Sequence, residues 1–170
     1  TDSVGLLLEG GFADTFVLNL EVTSLETGIR IDGAAQRIGG FAVAGHANLH
    51  LQMPVIDQCG IVGIDVMATS EYALIEITDP YVAVAPGAVA AIRAINARGA
   101  MTMTGGQLIG RSAKGNASVA GIAARDSSGL DVNGVKIADF AVPVSLAECR
   151  GVSLSGQIHN PVVVSDSAAI

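Results

Sequence analysis

Along most of the chain, apolar and polar residues alternate with a period of two, and the alternation keeps restarting from one short phrase: a small residue, then apolar, any, apolar. It reads Gly5-Leu6-Leu7-Leu8, Gly28-Ile29-Arg30-Ile31, Gly63-Ile64-Asp65-Val66, Ala91-Ile92-Arg93-Ala94 and Gly121-Ile122-Ala123-Ala124. Pro takes the small-residue place in Pro143-Val144-Ser145-Leu146 and Pro161-Val162-Val163-Val164. A period of two sends successive side chains to opposite sides of an extended chain, so each phrase predicts a short strand. The starts lie between 18 residues (Pro143 to Pro161) and 35 residues (Gly28 to Gly63) apart. Spacing of that size and irregularity predicts stacked coils that accept insertions in their turns.

A second alternating strand is expected after each start, at Val17-Leu18-Asn19-Leu20, Phe41-Ala42-Val43, Leu74-Ile75-Glu76-Ile77, Met101-Thr102-Met103-Thr104, Leu130-Asp131-Val132-Asn133 and Val152-Ser153-Leu154-Ser155. Several run on through Gly to a third apolar residue, as in Gly105-Gly106-Gln107-Leu108, Gly134-Val135-Lys136-Ile137 and Gly156-Gln157-Ile158. The stretch GIAARDSSGLDVNGVKIADF aligns with PVSLAECRGVSLSGQIHN almost residue for residue. One competing helix is visible, Ala88 to Arg98, with Val89, Ile92 and Ile95 three apart. It ends where the repeat expects its second strand.

A lone coil cannot bury its inward residues, so neighbours about 4.8 Å above and below must cover them. Ile29, Ile64, Ile92, Ile122 and Val144 are expected to form one inward ladder. Roughly six or seven coils, a rod on the order of 30 Å long at that spacing, would make residues 1–170 a single all-β domain. Because the chain enters a strand pattern almost at Thr1 and leaves open coil ends, we expect a segment of a longer chain.

This run of coils resembles the right-handed single-stranded parallel β-helix superfamily, which includes pectate lyases, polygalacturonases, alginate epimerases and bacteriophage tailspikes. The paired Asp motifs of polygalacturonases are missing, since no two Asp are adjacent or separated by one residue. The irregular coils look most like tailspikes. That resemblance implies a homotrimer, placed outside the cell or on a virion surface, that binds and in enzymatic versions cleaves bacterial surface polysaccharide.

Composition narrows the alternatives. With 9 Lys and Arg against 16 Asp and Glu, the net charge of −7 leaves no basic run to neutralise a phosphate backbone, so nucleic acid is not an expected partner. No apolar stretch is long and uninterrupted enough for a membrane helix, and no membrane partner or secretory leader is expected. The absence of Trp, with four Phe and two Tyr, demands an aliphatic core. Cys59 and Cys149 lack metal-ligand spacing and read as buried small hydrophobes. A mean hydropathy of +0.53 exceeds what a solvated rod needs, which points to burial between chains.

The candidate chemistry lies on the outward side of the second strands. There the residues expected to stack are Asn19, Glu76, Thr102, Asp131 and Ser153, with Glu21, Thr78, Thr104, Asn133 and Ser155 as a companion row. Short hydroxyl, amide and carboxylate groups match the hydrogen-bonding needs of sugars. Glu76 and Asp131 are the candidate catalytic carboxyls, and Glu21, Thr78, Thr104, Asn133 and Ser155 the candidate substrate contacts. Glycoside hydrolysis needs two carboxyls about 5 to 9.5 Å apart, a distance open to Glu76 with Asp131 or Glu21 with Glu76, with Asp57 and Asp79 as substitutes. Arg30, Asp65 and Arg93 form a plus, minus, plus series on first strands. It reads as a self-neutralising ladder, with a lyase or epimerase base beside cations as the alternative. His46 and His50 are four apart without a third ligand, and His159 is remote, so no metal or other cofactor is expected. Arg111 and Lys114 could hold an anion in a loop, and Asn116-Ala117-Ser118 fits a glycosylation triplet. The scarcity of aromatic platforms for sugars leaves a non-catalytic stalk or trimerisation segment as the main alternative to an enzyme.

Overall fold

The computed structural model describes residues 3–34, 36–38, 41–43, 47–111, 120–158 and 162–165. In chain order the strands are β1 (Val4–Glu9), β2 (Phe12–Leu18), β3 (Glu21–Thr23), β4 (Thr27–Asp32), β5 (Gln36–Ile38), β6 (Phe41–Val43), β7 (Ala47–Gln52) and β8 (Val55–Cys59). They continue as β9 (Val62–Met67), β10 (Leu74–Thr78), β11 (Tyr81–Val84), β12 (Ala90–Ile95), β13 (Ala100–Thr104) and β14 (Gln107–Gly110). The last are β15 (Ala120–Arg125), β16 (Leu130–Ala138), β17 (Val142–Ala147), β18 (Ser153–Ile158) and β19 (Val163–Ser165). The described residues contain no helix, and the segment with helical spacing is β12. Its Ala90, Ile92 and Ala94 alternate inward, so strand periodicity outweighs the spacing of three.

The parallel strands wind as a β-solenoid of about five turns. Its first face is seven strands deep, β1-β4-β9-β12-β15-β17-β19. The second face stacks β2, β7, β10, β13 and the first half of β16, and the third stacks β3, β8, β11, β14 and the second half of β16. Because β16 runs through the corner unbroken, the second and third faces form one ten-stranded sheet. The second coil departs from expectation. Residues Phe41–Val43 are not its second strand but pair antiparallel with β5, outside the stack. The second-face strand is β7, so the insertion that lengthens this coil lies before it.

Ladders of inward side chains fill the interior. Ile29, Ile64, Ile92, Ile122 and Val144 stand in direct register on the first face, all fully buried. Opposite them lie Leu49-Ile75-Met101-Leu130 and Leu51-Ile77-Met103-Val132 on the second face, and Val22-Ile56-Val82-Leu108-Ile137 on the third. Each large aliphatic side chain so buried contributes about 1.5–3 kcal/mol. The small residue that opens each coil follows from this packing. A Cβ on Gly63 would overlap Val82 Cγ1 and the Ala91 carbonyl, and Gly28 meets Ile56 in the same way. The first strands are thin at that point because third-face side chains reach across to them.

The corners are turned by single residues with left-handed backbone. Ala68, Asn96, Asp126 and Glu148 (φ 51 to 56) end first-face strands, and Asn19, Met53 and Asp79 (φ 48 to 52) end second-face strands. Their N–H groups keep the ladder going: Asn96 donates to Arg125 O at 3.1 Å and Asp126 to Ala147 O at 3.1 Å. The bend therefore leaves no backbone donor orphaned.

Candidate functional site

The second face carries the expected polar row, in corrected register. Outward residues stack as Phe16, His50, Glu76, Thr102, Asp131 and Ser153. The companion row is Leu18, Gln52, Thr78, Thr104 and Asn133, and the Ser155 hydroxyl reaches it by donating to Asn133 Oδ1 at 2.9 Å. Two expected members fall elsewhere. Asn19 is a corner residue at φ 52, and Glu21 belongs to β3 on the third face, paired with Val55. A corner residue shifts the alternation by one, so Glu21 cannot face the same way as Glu76. The structure thus unites Glu76, Thr78, Thr104, Asp131, Asn133 and Ser155, but does not pair Glu21 with Glu76.

Glu76 and Asp131 are separated by Thr102, hence by two strand spacings, about 9.6 Å between backbones. Side chains on backbones so spaced can bring their carboxyls to a glycosidase separation, inverting or retaining. Glu76 is also engaged: His50 Nδ1 lies 2.7 Å from Glu76 Oε2, and with a carboxylate as partner this nitrogen carries the proton. Phe16 stacks on the opposite neighbour, its ring 4.4 Å from that of His50 and tilted by 7°. Phe16, 62% exposed, supplies an aromatic surface at the end of the row. Sequence reasoning missed His50 because the second coil is expected to use Phe41–Val43 as its second strand, and Phe16 because the first coil's second strand is expected to begin only at Val17. Placing β7 in the stack by its alternation Leu49-His50-Leu51 finds the His50–Glu76 pair.

The first-face ladder is closed. Arg93 Nε donates to Asp65 Oδ1 at 2.8 Å and Arg93 Nη2 to Asp65 Oδ2 at 2.7 Å. From the other side, Arg30 Nε donates to Asp65 Oδ2 at 3.3 Å. Asp65 is fully buried, so it offers no base to a substrate arriving from solvent. The forked contact with Asp65 raises the Arg93 pKa further.

Other sequence candidates resolve differently. Arg111 is paired with Asp57 at 2.8 Å, which also occupies that substitute carboxyl. Asp79 turns a corner at φ 48. Cys59 and Cys149 are buried and form no disulfide, and burial pushes the Cys59 thiol pKa up. His46, Lys114, the Asn116 triplet and His159 lie outside the described residues. Among the described residues no group of three or more His, Cys, Asp or Glu could hold a metal, and no helix is long and apolar enough to cross a membrane.

A groove of about 580 Å³ runs along the corner between the first and second faces. Its walls come from the turns that precede the second-face strands, including Glu71, Arg98, Asp126, Ser128 and Arg150. The aligned coils had already set Asp126 against Glu148 and Ser128 against Arg150, but a polar turn does not disclose that it lines a groove. Comparison of the chain with family models, with curated proteins and with solved structures finds no match.

Proposed function

We propose that this solenoid binds a bacterial surface polysaccharide along its second face, as a segment of a tailspike-like protein. The observation that carries the reading is the register of Glu76, Thr102, Asp131 and Ser153, with Thr78, Thr104 and Asn133 alongside. Hydrogen-bonding groups recur there at one strand spacing over four successive coils. A polymer with a repeating set of hydroxyls can be met by a repeating set of partners, and the exposed Phe16 ring adds a flat apolar surface for a sugar face. In a cleaving version Glu76 and Asp131 are the two carboxyls. The test is binding and cleavage of whole-cell glycan by Glu76→Gln and Asp131→Asn variants. Unchanged binding and unchanged cleavage in both would refute the reading.

A stalk remains the competing proposal, and one observation favours it. Phe16, Leu18, Met53 and Val55 are exposed large apolar side chains on neighbouring coils of the second and third faces. Association as a homotrimer would cover them. Sedimentation as a monomer at micromolar concentration would count against the trimer. The proposed setting, outside the cell or on a virion, follows from the glycan and stands or falls with it.

A further inference from the structure

We infer that the second face selects its glycan by charge, taking an acid-free polysaccharide and rejecting one that carries acidic groups. The inference rests on the proposed binding along that face and names the ligand class.

The fold keeps cations off this face. Among the described residues its outward rows hold the carboxylates of Glu76 and Asp131 and the imidazole of His50, and no Lys or Arg. Arg30 and Arg93 stand on the first face, closed on Asp65. Lys136 continues the outward row of the third face, in register with Gln107 and Gln157. Arg111, just past β14, is paired with Asp57, and Arg125 at the end of β15 with Asp126. Arg37 belongs to β5, outside the stack. Arg98 and Arg150 approach the face only through the corner groove, where Glu71, Asp126 and Glu148 outnumber them.

What the two carboxylates have left to offer is acceptor capacity. Asp131 is exposed and has no ion-pair or hydrogen-bond partner among the described residues. Its neighbours in the row are the hydroxyl residues Thr102 and Ser153. Glu76 gives one oxygen to His50 Nδ1 at 2.7 Å and keeps the other, on a side chain 46% exposed. An ionised carboxylate only accepts hydrogen bonds, so both ask the ligand for donors, which a sugar hydroxyl or amine supplies and an ionised sugar acid does not. An acid brought within about 4 Å of either one meets a like charge that lowers affinity about fivefold even at the permittivity of water. No Lys or Arg on the face offsets that repulsion, and the net charge of −7 adds to it at longer range.

The test immobilises bacterial O-chain and capsular polysaccharides at neutral pH and low salt. Each uronate-containing member is presented both native and after chemical reduction of its carboxylates to primary alcohols, so that one polymer is compared with and without its acid. The parent is expected to bind acid-free members, the reduced form of a polymer at least about fivefold tighter than the native form. The gap should close in about 1 M salt, where the screening length falls to about 3 Å. Thr102→Arg, which sets a guanidinium between Glu76 and Asp131, and the double variant Glu76→Gln/Asp131→Asn should each abolish the preference, with circular dichroism showing the parental fold. A native acidic polymer bound by the parent as tightly as its reduced form overturns the inference, and loss of that binding in the double variant would leave the second-face reading standing without it. Binding that neither variant alters in strength or in preference overturns both, as does a parent that binds no member of the panel.

Discussion

The first and second faces of the solenoid use the same stacking to opposite ends. Both bring polar side chains of successive coils into direct register. On the first face the series is Arg30, Asp65, Arg93, and opposite charges at one strand spacing clasp each other until Asp65 has no exposed surface. On the second face the series is Glu76, Thr102, Asp131, Ser153, where no cation stands between the carboxylates. Glu76 is held on one side by His50, while Thr102, Asp131 and Ser153 keep hydrogen-bonding capacity toward solvent. A polar ladder is therefore a clamp or a binding surface according to the order of charges along it.

The comparison can be broken at its base by removing the interior that both faces share. Ile122→Asp places an unpaired charge in the middle of the first-face ladder and is expected to cost more than about 4 kcal/mol. Chemical denaturation should show no native baseline. A folded variant of near-parental stability would mean that the ladders do not hold the stack.

Next in size is a matched pair of substitutions that sharpens the contrast. Asp65→Asn removes the buried anion between two guanidiniums and should cost about 3 kcal/mol. The chemically identical Asp131→Asn, on the open face, should stay within about 0.5 kcal/mol. Urea midpoints of the two variants decide it, and equal midpoints would erase the distinction between clamp and surface.

Function should reverse that order. Glu76→Gln removes the charged partner of His50 and one of the two proposed carboxyls, so cleavage, where present, should fall by about a hundredfold or more. Asp65→Asn, assayed at a temperature where it is folded, should bind glycan like the parent. Cleavage that survives in both Glu76→Gln and Asp131→Asn would exclude them as the acting pair.

The smallest effect concerns Cys59. Burial raises its thiol pKa, so folding favours the protonated form. The associated stability is complete below the ordinary value of 9.0 and is lost as pH rises above it. Cys59→Ala should flatten the decline of thermal stability at alkaline pH, and an unchanged slope would show that the thiol does not contribute.

Much of this molecule could be read from the chain. Repetition of the small-apolar-any-apolar phrase determined the all-β solenoid and its first-face ladder, because a strand that must bury every second residue has little choice of register. Thr78, Thr104, Asp131 and Asn133 were placed together for the same reason. Glu21 was not, because the left-handed corner at Asn19 ends one strand and starts another, and backbone φ at a non-glycine residue leaves little trace in composition. The displaced second strand of the second coil has a related cause. Both Phe41–Val43 and Ala47–Gln52 can form strands, and only the stack decides which one finds a parallel neighbour. The corner groove lay furthest from view, since Glu71, Arg98 and Arg150 are distant turn residues that acquire a shared wall once coils of unequal length are laid on one another. Sequence by itself determined which residues face inward, because burial is encoded locally by the period of two. Tertiary structure alone decided which polar residues meet, because that depends on how many residues each corner consumes.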